Sequence, residues 1–549
     1  MKTNSIFLWP AQVCLFTFVL TGMLSAQTYY VDKNHASADN SNPGTIDLPW
    51  KSIGHAAETA VAGDQVFIRA GTYNESIYFD NNGSAEALIV FSAYAGEKPV
   101  VDGTGVSESQ NGIIIDKSYI KIEGLEIRNW EENAVWVENA HHLEISDCEV
   151  HDVTYGIGLT DGSHEFVLNR VLVHHFALYG FDVTPSSVGD CYNGTFNDCV
   201  AHTGSDAEQN VDGFALGHGD QYGFTFNRCV TYNVYDGFDI SSRNSTLNGC
   251  LAYNCWNGAY KLWQDQVKLL NCIGYDCTGS VVELDWDGTP GVVSLMNCTF
   301  YGGETFTVWV ENHADALHMT NCIVAGGDNI GLAFEQMDVS QYQGDYNVFH
   351  NNNSDRAVVV GYTDEFTLDQ ITSGSWTTYS GQDAHSWTVN SAGLLFLNPA
   401  GYNFHLQGTG VAVDHGTNSG APSDDFDGNP RYTGTGVDIG AYEINDGTGL
   451  EEIENGDESL LHCRNYPNPF YSATTISFAV PVYCPVTVKV YDLTGHEVKT
   501  LVHETVASGE YSVEWDGSDE TGHKVAGGIY LCHISAGEYN EVRKMVIRN

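Results

Sequence analysis

Three aspartates and a lysine are the residues whose types and spacing could do chemistry. Asp212 opens the triplet Asp-Gly-Phe in VDGFAL (211–216), and Asp236 opens it again in YDGFDI (235–240). Asp239 follows in the same segment, and Lys261 lies in NGAYKLW (257–263). If the two triplets sit at equivalent places on adjacent turns of a repeat, their carboxylates stack about 5 Å apart. Like charges so stacked repel unless a cation lies between them. Calcium takes oxygen ligands at about 2.3–2.6 Å and can bridge two carboxylates at that separation. Asp239 alternates outward between Phe238 and Ile240, so three carboxylates would converge on one outer patch. Asp-Gly is also common in turns for conformational reasons alone, which leaves open three solvated turn aspartates. Lys261 faces outward between Tyr260 and Leu262. Beside such a patch it is an ion-pair partner, or a base whose pKa is lowered by a bound cation. Arg243, just past the Asp239 strand, either grips a carboxylate of a substrate or is a surface arginine.

The elements that must position these residues are short strands in a repeat. Asn-Cys or Asn-x-Cys recurs, ending at Cys199, Cys229, Cys250, Cys272, Cys298 and Cys322, and each cysteine is followed by a short apolar strand, a turn and an alternating strand. A variable period with a minimum near 21–22 residues is the pattern of a parallel β-helix, in which each coil pairs with the coils above and below. The cysteines then form an inward column of small apolar side chains, and the asparagines a column at a turn. Disulfides between coils stay open as an alternative. PWKSIGHAAETAVAGDQVFIRAGTY (49–73) predicts a short amphipathic helix around 51–61 before the first strand. It would cover the open end of the stack, whose edge would otherwise invite pairing. From about 340 to 423 the repeat becomes irregular and reads as loops and last coils.

Composition agrees with an all-β chain: 58 glycines, 12% aromatics and almost no long helical periodicity in 549 residues. The formal net charge of −49 repels nucleic acid and anionic membranes, so neither is an expected partner. The first 26 residues read as a signal peptide cleaved near Ala26, and no later segment is apolar enough to span a bilayer. A secreted or cell-surface monomer is expected. Residues 27–447 are then the β-helix, 448–462 an acidic linker, and 463–549 a small sandwich with its own charge balance.

Two resemblances sharpen these expectations. NYPNPF (465–470), VYDLTG, the Trp-Asp-Gly turn and GGIYL resemble the C-terminal sorting domain of proteins exported by the type IX secretion system. This implies an immunoglobulin-like sandwich and the type IX machinery as a partner. Asp-Gly-Phe, then Asp-Gly-aromatic-Asp, then Asn-Gly…Lys-Leu on successive coils is similar to the site of the family 9 pectate lyases. The start YYVDKNHASADNSNPGTIDLPWKSI and the ending DDFDGNPR…DIGAYE resemble secreted right-handed β-helix proteins. The resemblance implies calcium held by Asp212, Asp236 and Asp239, and Lys261 as the base of a β-elimination on an acidic polysaccharide. Pectate or polygalacturonate is the expected uronate polymer. Two departures stand out. The family has a further aspartate where this chain has Tyr235, and Ala259-Tyr260 carries what reads as one extra residue, a bulge. A lyase for another uronate, a β-helix glycoside hydrolase (suggested by Gly217-His218-Gly219) and a non-catalytic carbohydrate-binding or adhesin β-helix are the alternatives.

Overall fold

The computed structural model describes residues 26–444, except 108, 206–209, 286–290, 312–315, 328–329, 352–355, 362 and 432–435, and most of 464–547. Residues 1–25 of the proposed signal segment (1–26) and the acidic linker lie outside the described residues. The chain divides into two compact units, Met1–Asp446 and Gly447–Asn549.

The first unit is a right-handed parallel β-helix. One face is a sheet of thirteen strands, each parallel to the next, as Thr195–Asn197, Thr225–Asn227 and Thr246–Asn248 illustrate. Two other faces are stacks of strands, short except where Glu126–Glu138, Glu149–Thr160 and Leu172–Val183 run through both. One of them runs Asp212–Leu216, Phe238–Ile240, Tyr260–Leu262, Ser280–Leu284, Phe306–Val310, Ile330–Phe334 and Val358–Val360. In-register stacking brings like residues together. Phe181, Phe214, Phe238 and Tyr260 form an inward column with ring centroids 4.7, 4.8 and 5.3 Å apart. The Tyr260 hydroxyl lies 2.8 Å from the carbonyls of Cys250 and Ile273, so its polar end is satisfied inside the core.

The cysteine column is present. Cys199, Cys229, Cys250, Cys272, Cys298 and Cys322 are fully buried free thiols. The asparagines form two columns rather than one. Asn227 donates to Asn197, and Asn197 to Asn169, at 2.9 and 2.8 Å, at strand ends. Asn271, Asn297 and Asn321 instead occupy the corner itself with φ of 53°, 51° and 54°, a left-handed conformation asparagine tolerates. Their amides donate to the carbonyls of Asp424, Asp438 and Thr417. The first two therefore hold the DDFDGNPR…DIGAYE segment against the coils, and the third holds the loop before it. Arg431 of that segment is fully buried; it donates to Asn271 Oδ1 and the Ala441 carbonyl and faces Glu443. The N-terminal helix spans Ile53–Thr59, is capped by Ser52, and buries Ile53, Ala56 and Ala57. Among the described residues no helix is long and apolar enough to cross a membrane.

The second unit packs two antiparallel sheets. Arg464–Tyr466, Thr474–Val480 and Gly509–Trp515 form one. Glu497–Val506, Cys484–Asp492, Gly528–Ala536 and Tyr539–Ile547 form the other. Trp515, Phe478, Val488, Cys532 and Met545 fill the space between, the arrangement of a sandwich.

A second aromatic column runs His151, His174, His202, Tyr232, Tyr253 and Tyr275. Burial, aided by His174 and His175, pushes His202 down to about 4. The neutral ring is therefore held in the folded state, whereas the unfolded chain takes up a proton near pH 6.5. Stability from this group is fully present above about pH 6.5 and falls as pH drops toward 4; below that, both states are protonated and the loss levels off. His202→Tyr extends the tyrosine run and should flatten this limb, sparing roughly 3 kcal/mol near pH 4. Urea denaturation from pH 7.5 to 4 checks it; parallel curves for both proteins would contradict it.

Candidate active site

Glycine at Asp-Gly-Phe serves close approach rather than a turn. Gly213 and Gly237 are absent from the left-handed region among the described residues. A Cβ on Gly213 would meet Thr231 Oγ1 at 2.0 Å, and one on Gly237 the Ala259 carbonyl at 2.6 Å. Phe214 pairs with Phe238 and Phe238 with Tyr260, so Asp212 and Asp236 sit one coil apart. The same register puts Ala259 against Gly237 and Gly258 against Asp236. No residue is extra, and the expected bulge is absent: Asp239 and Lys261 are direct partners. Aligning the segments on glycine misread this, because the third coil carries alanine where the others carry glycine.

Asp212 and Asp236 are fully buried. Asp212 accepts from the Asp236 amide at 3.3 Å and from Asn210 at 3.0 Å. Asp236 Oδ1 accepts from the Gly258 amide and Asn257, both at 2.9 Å. Its Oδ2 is buried without a hydrogen-bond partner and faces Lys261 Nζ at 3.8 Å. Asp239 accepts from the Trp263 indole at 2.7 Å, and Lys261 Nζ lies 4.9 Å from the centre of the Trp263 ring. Tyr235, where the resemblance leads one to expect a further aspartate, packs partly buried against the core.

Beyond Lys261 a second acidic group appears that sequence reading missed. Glu283 is the next partner in the Asp239–Lys261 column, with an oxygen 4.0 Å from Nζ. Among the described residues, Glu283, Asp285 and Glu311 are three carboxylates whose oxygens all lie within 4.8 Å of one another; Asp212, Asp236 and Asp239 form no such group. The available signal was the alternation of Glu283 and Asp285 in VVELD, with Glu311 just past the equivalent strand one coil on.

Burial sets the proton affinities. Asp212 is raised well above the usual carboxylate range by burial and by Asp236 and Asp239. Asp236 is raised by burial against the pull of Lys261. Asp239 is pushed up to about 7 by burial and Asp236, and Glu283 to about 7 by burial. Burial alone would lower Lys261, but Asp236, Glu283, Asp239 and Asp212 together raise it. Without compensating charge, Lys261 is an ammonium. Arg243 lies elsewhere: it follows the buried pair Ser241 and Ser242 round a corner, bridges to Tyr222 and faces Asp220 at 3.3 Å. The structure thus gathers Asp212, Asp236, Asp239 and Lys261 and leaves Arg243 on the next face.

The buried, unpartnered oxygen of Asp236 and the mutual repulsion of the three aspartates suit a hard divalent cation. Among the described residues, Glu283, Asp285 and Glu311 have their oxygens grouped closely enough to hold one as they stand, and Asp212, Asp236 and Asp239 do not.

Comparison with known proteins bears on this site. Residues 29–283 match a family model described as Pel9A-like, right handed beta helix region, and residues 208–370 one described as right handed beta helix region. Residues 475–539 match the FlgD Ig-like domain. The chain is 27% identical to pectate lyase PEL9 of Emericella nidulans over 236 residues, 42% of this chain and 52% of that protein. It is 28% identical to pectate lyase L of Paenibacillus polymyxa over 278 residues, 44% and 57% of the two chains. It therefore spans about half the length of these curated relatives. The solved structure of pectate lyase Pel9A superposes with a TM-score of 0.48 at 15% identity, covering 77% of this chain and 98% of that one.

The corner glycines yield a direct test. Gly237→Ala drives a methyl into the Ala259 carbonyl, a backbone atom that cannot swing away, and should cost about 1–3 kcal/mol. Chemical denaturation reads this; unchanged stability would show that the corner has slack.

Proposed function

We propose that this chain is a secreted, calcium-dependent polysaccharide lyase that cleaves a uronate polymer, pectate or polygalacturonate, by β-elimination. The observation that carries the reading is Lys261 set between Asp236 and Glu283 at 3.8 and 4.0 Å on an outward strand face. The Pel9A-like match across residues 29–283 supports it.

Lys261 takes the proton at C5 of the uronate, the C5 electrons form the C4–C5 double bond, and the glycosidic oxygen leaves C4. Asp212, Asp236 and Asp239 are the proposed calcium ligands. When bound, a calcium ion supplies charge that neutralises these carboxylates, relieves the field holding Lys261 protonated, and offsets the uronate's own charge. Trp263 holds Asp239 through its indole N–H and covers one side of Lys261. One observation favours a second reading, hydrolysis: Asp239 and Glu283, both raised to about 7, flank Lys261 and could act as acid and base.

Lys261→Ala should cut formation of the UV-absorbing unsaturated uronide by at least about 10²–10⁴-fold, while calorimetric calcium binding persists. Asp236→Ala should weaken that binding sharply, and Glu311→Gln should leave it in place. Substantial activity in Lys261→Arg would make the lysine a fixed charge rather than a base. Saturated reducing ends from the wild type would favour hydrolysis instead.

We also propose that the chain reaches the cell exterior through its first 26 residues and its C-terminal sandwich, the latter read by the type IX machinery. Deleting 463–549 should trap the protein in the producing cell and leave purified activity intact. Normal secretion of the truncated chain would refute the export role.

A further inference from the structure

The outward column that carries Asp239, Lys261 and Glu283 does not stay polar. Its next members are Trp309, Ala333 and Val359. Trp309 is two coils from Lys261, or about 10 Å along the helix axis. Beside it, Phe306 stacks on the Trp309 ring at 5.0 Å between centroids and pairs with Ile330 on the next coil. Ile330, Ala333 and Val359 are nearly fully buried, and the two aromatics are partly covered. This cluster lies outside the main core, on the solvent side of the coils, so packing of the β-helix interior does not require it. It lines a pocket of about 240 Å³ whose rim also carries Glu335 and Arg356. Among the described residues the Trp309 indole N–H is a buried donor without a hydrogen-bond partner. A buried donor left unmade is costly, and this one belongs to the pocket's own wall.

We propose that this pocket is a sugar subsite that takes one unit of the uronate chain whose scissile bond lies at Lys261. The inference rests on the lyase reading for the identity of the polymer. Its separate grounds are chemical. A pyranose has C–H faces that pack on an aromatic wall and hydroxyl and carboxylate oxygens that accept from an indole N–H. An apolar floor with a few polar groups at the edge is the usual make-up of a small-ligand site. Arg356, paired with Glu365 at 2.9 Å, brings a cation to a face that is otherwise acidic and can share it with a uronate carboxylate. Continuity does the rest: the pocket and Lys261 belong to one column, so a chain lying along the helix axis meets both. Sugar units at the pocket would contribute binding far from the reacting bond.

The test uses the full chain. Binding is measured by affinity electrophoresis in gels containing polygalacturonate with calcium, in a Lys261→Ala background so that no cleavage occurs. Trp309→Ala should weaken retardation about tenfold. Ala333→Leu, which fills the floor without removing the aromatic wall, should weaken it similarly. Trp309→Phe, which keeps a ring and removes the N–H, should fall between. Melting curves identify any variant that has unfolded, and Ala333→Leu then serves in place of Trp309→Ala. In the otherwise wild-type chain, Trp309→Ala should raise KM for the polymer and leave kcat nearly unchanged. Equal retardation of folded Trp309→Ala and Ala333→Leu with their parent overturns the subsite, as does a parent that the polymer does not retard. Self-association lost in Trp309→Ala with retardation unchanged also overturns it, and assigns the pocket to a contact between copies. Retardation that depends on Trp309, with no unsaturated product from the wild type, sinks the lyase reading and leaves the subsite standing.

Discussion

Everything in the β-helical unit depends on parallel, in-register stacking at the spacing of one coil. A residue placed at one position is brought within about 5 Å of the residues at that position on the coils above and below. For side chains that attract or pack, this is a gain repeated at every turn. The phenylalanines at 181, 214 and 238 stack face to face, the thiols fill a column of equal volume, and asparagine amides pass hydrogen bonds from coil to coil. For like charges, the same geometry is a penalty at every turn. A column that carries acid must therefore be interrupted, paired or neutralised.

The candidate site is where the chain accepts that penalty. Asp212 and Asp236 are stacked and fully buried, Asp239 shares the outer column, and Glu283 follows one coil past Lys261. Lys261 is the interruption. It stands between two acidic groups and lowers the proton affinity of Asp236, Asp239 and Glu283, yet burial still leaves all three raised. One ammonium does not balance the carboxylates around it. On the proposed reading, this imbalance is what a bound cation would relieve.

Sequence reading recovered what stacking writes as repetition. The coil period, the cysteine column and the equivalence of Asp212 with Asp236 all follow from recurring short motifs. It missed what stacking enforces without repetition. Glu283, Asp285 and Glu311 meet because their strands share a register, and no common motif marks them. Ala259 was taken as an insertion because glycine was used as the anchor, when the true anchor is the inward aromatic: Phe214, Phe238 and Tyr260 are the aligned residues. Arg243 looked near in sequence to Asp239, but the buried Ser242–Ser245 corner, closed by a hydroxyl contact of 2.7 Å, turns it onto another face. The asparagines were read as one column, whereas a change from Asn-x-Cys to Asn-Cys moves the residue from the strand end into the left-handed corner.

The electrostatics also constrain what Lys261 can do. A base must be neutral when it takes a proton, and four carboxylates hold this amine in its charged form. The more acid the chain gathers to bind a cation, the poorer a base the lysine becomes while the acid is uncompensated. The two requirements agree only if neutralising the carboxylates and freeing the amine are one event. Binding of a cation would then come before proton abstraction by necessity of charge. On the proposed reading, the acidity of the site would be the means by which a lysine with no intrinsic tendency to be neutral becomes a base only in the complete complex.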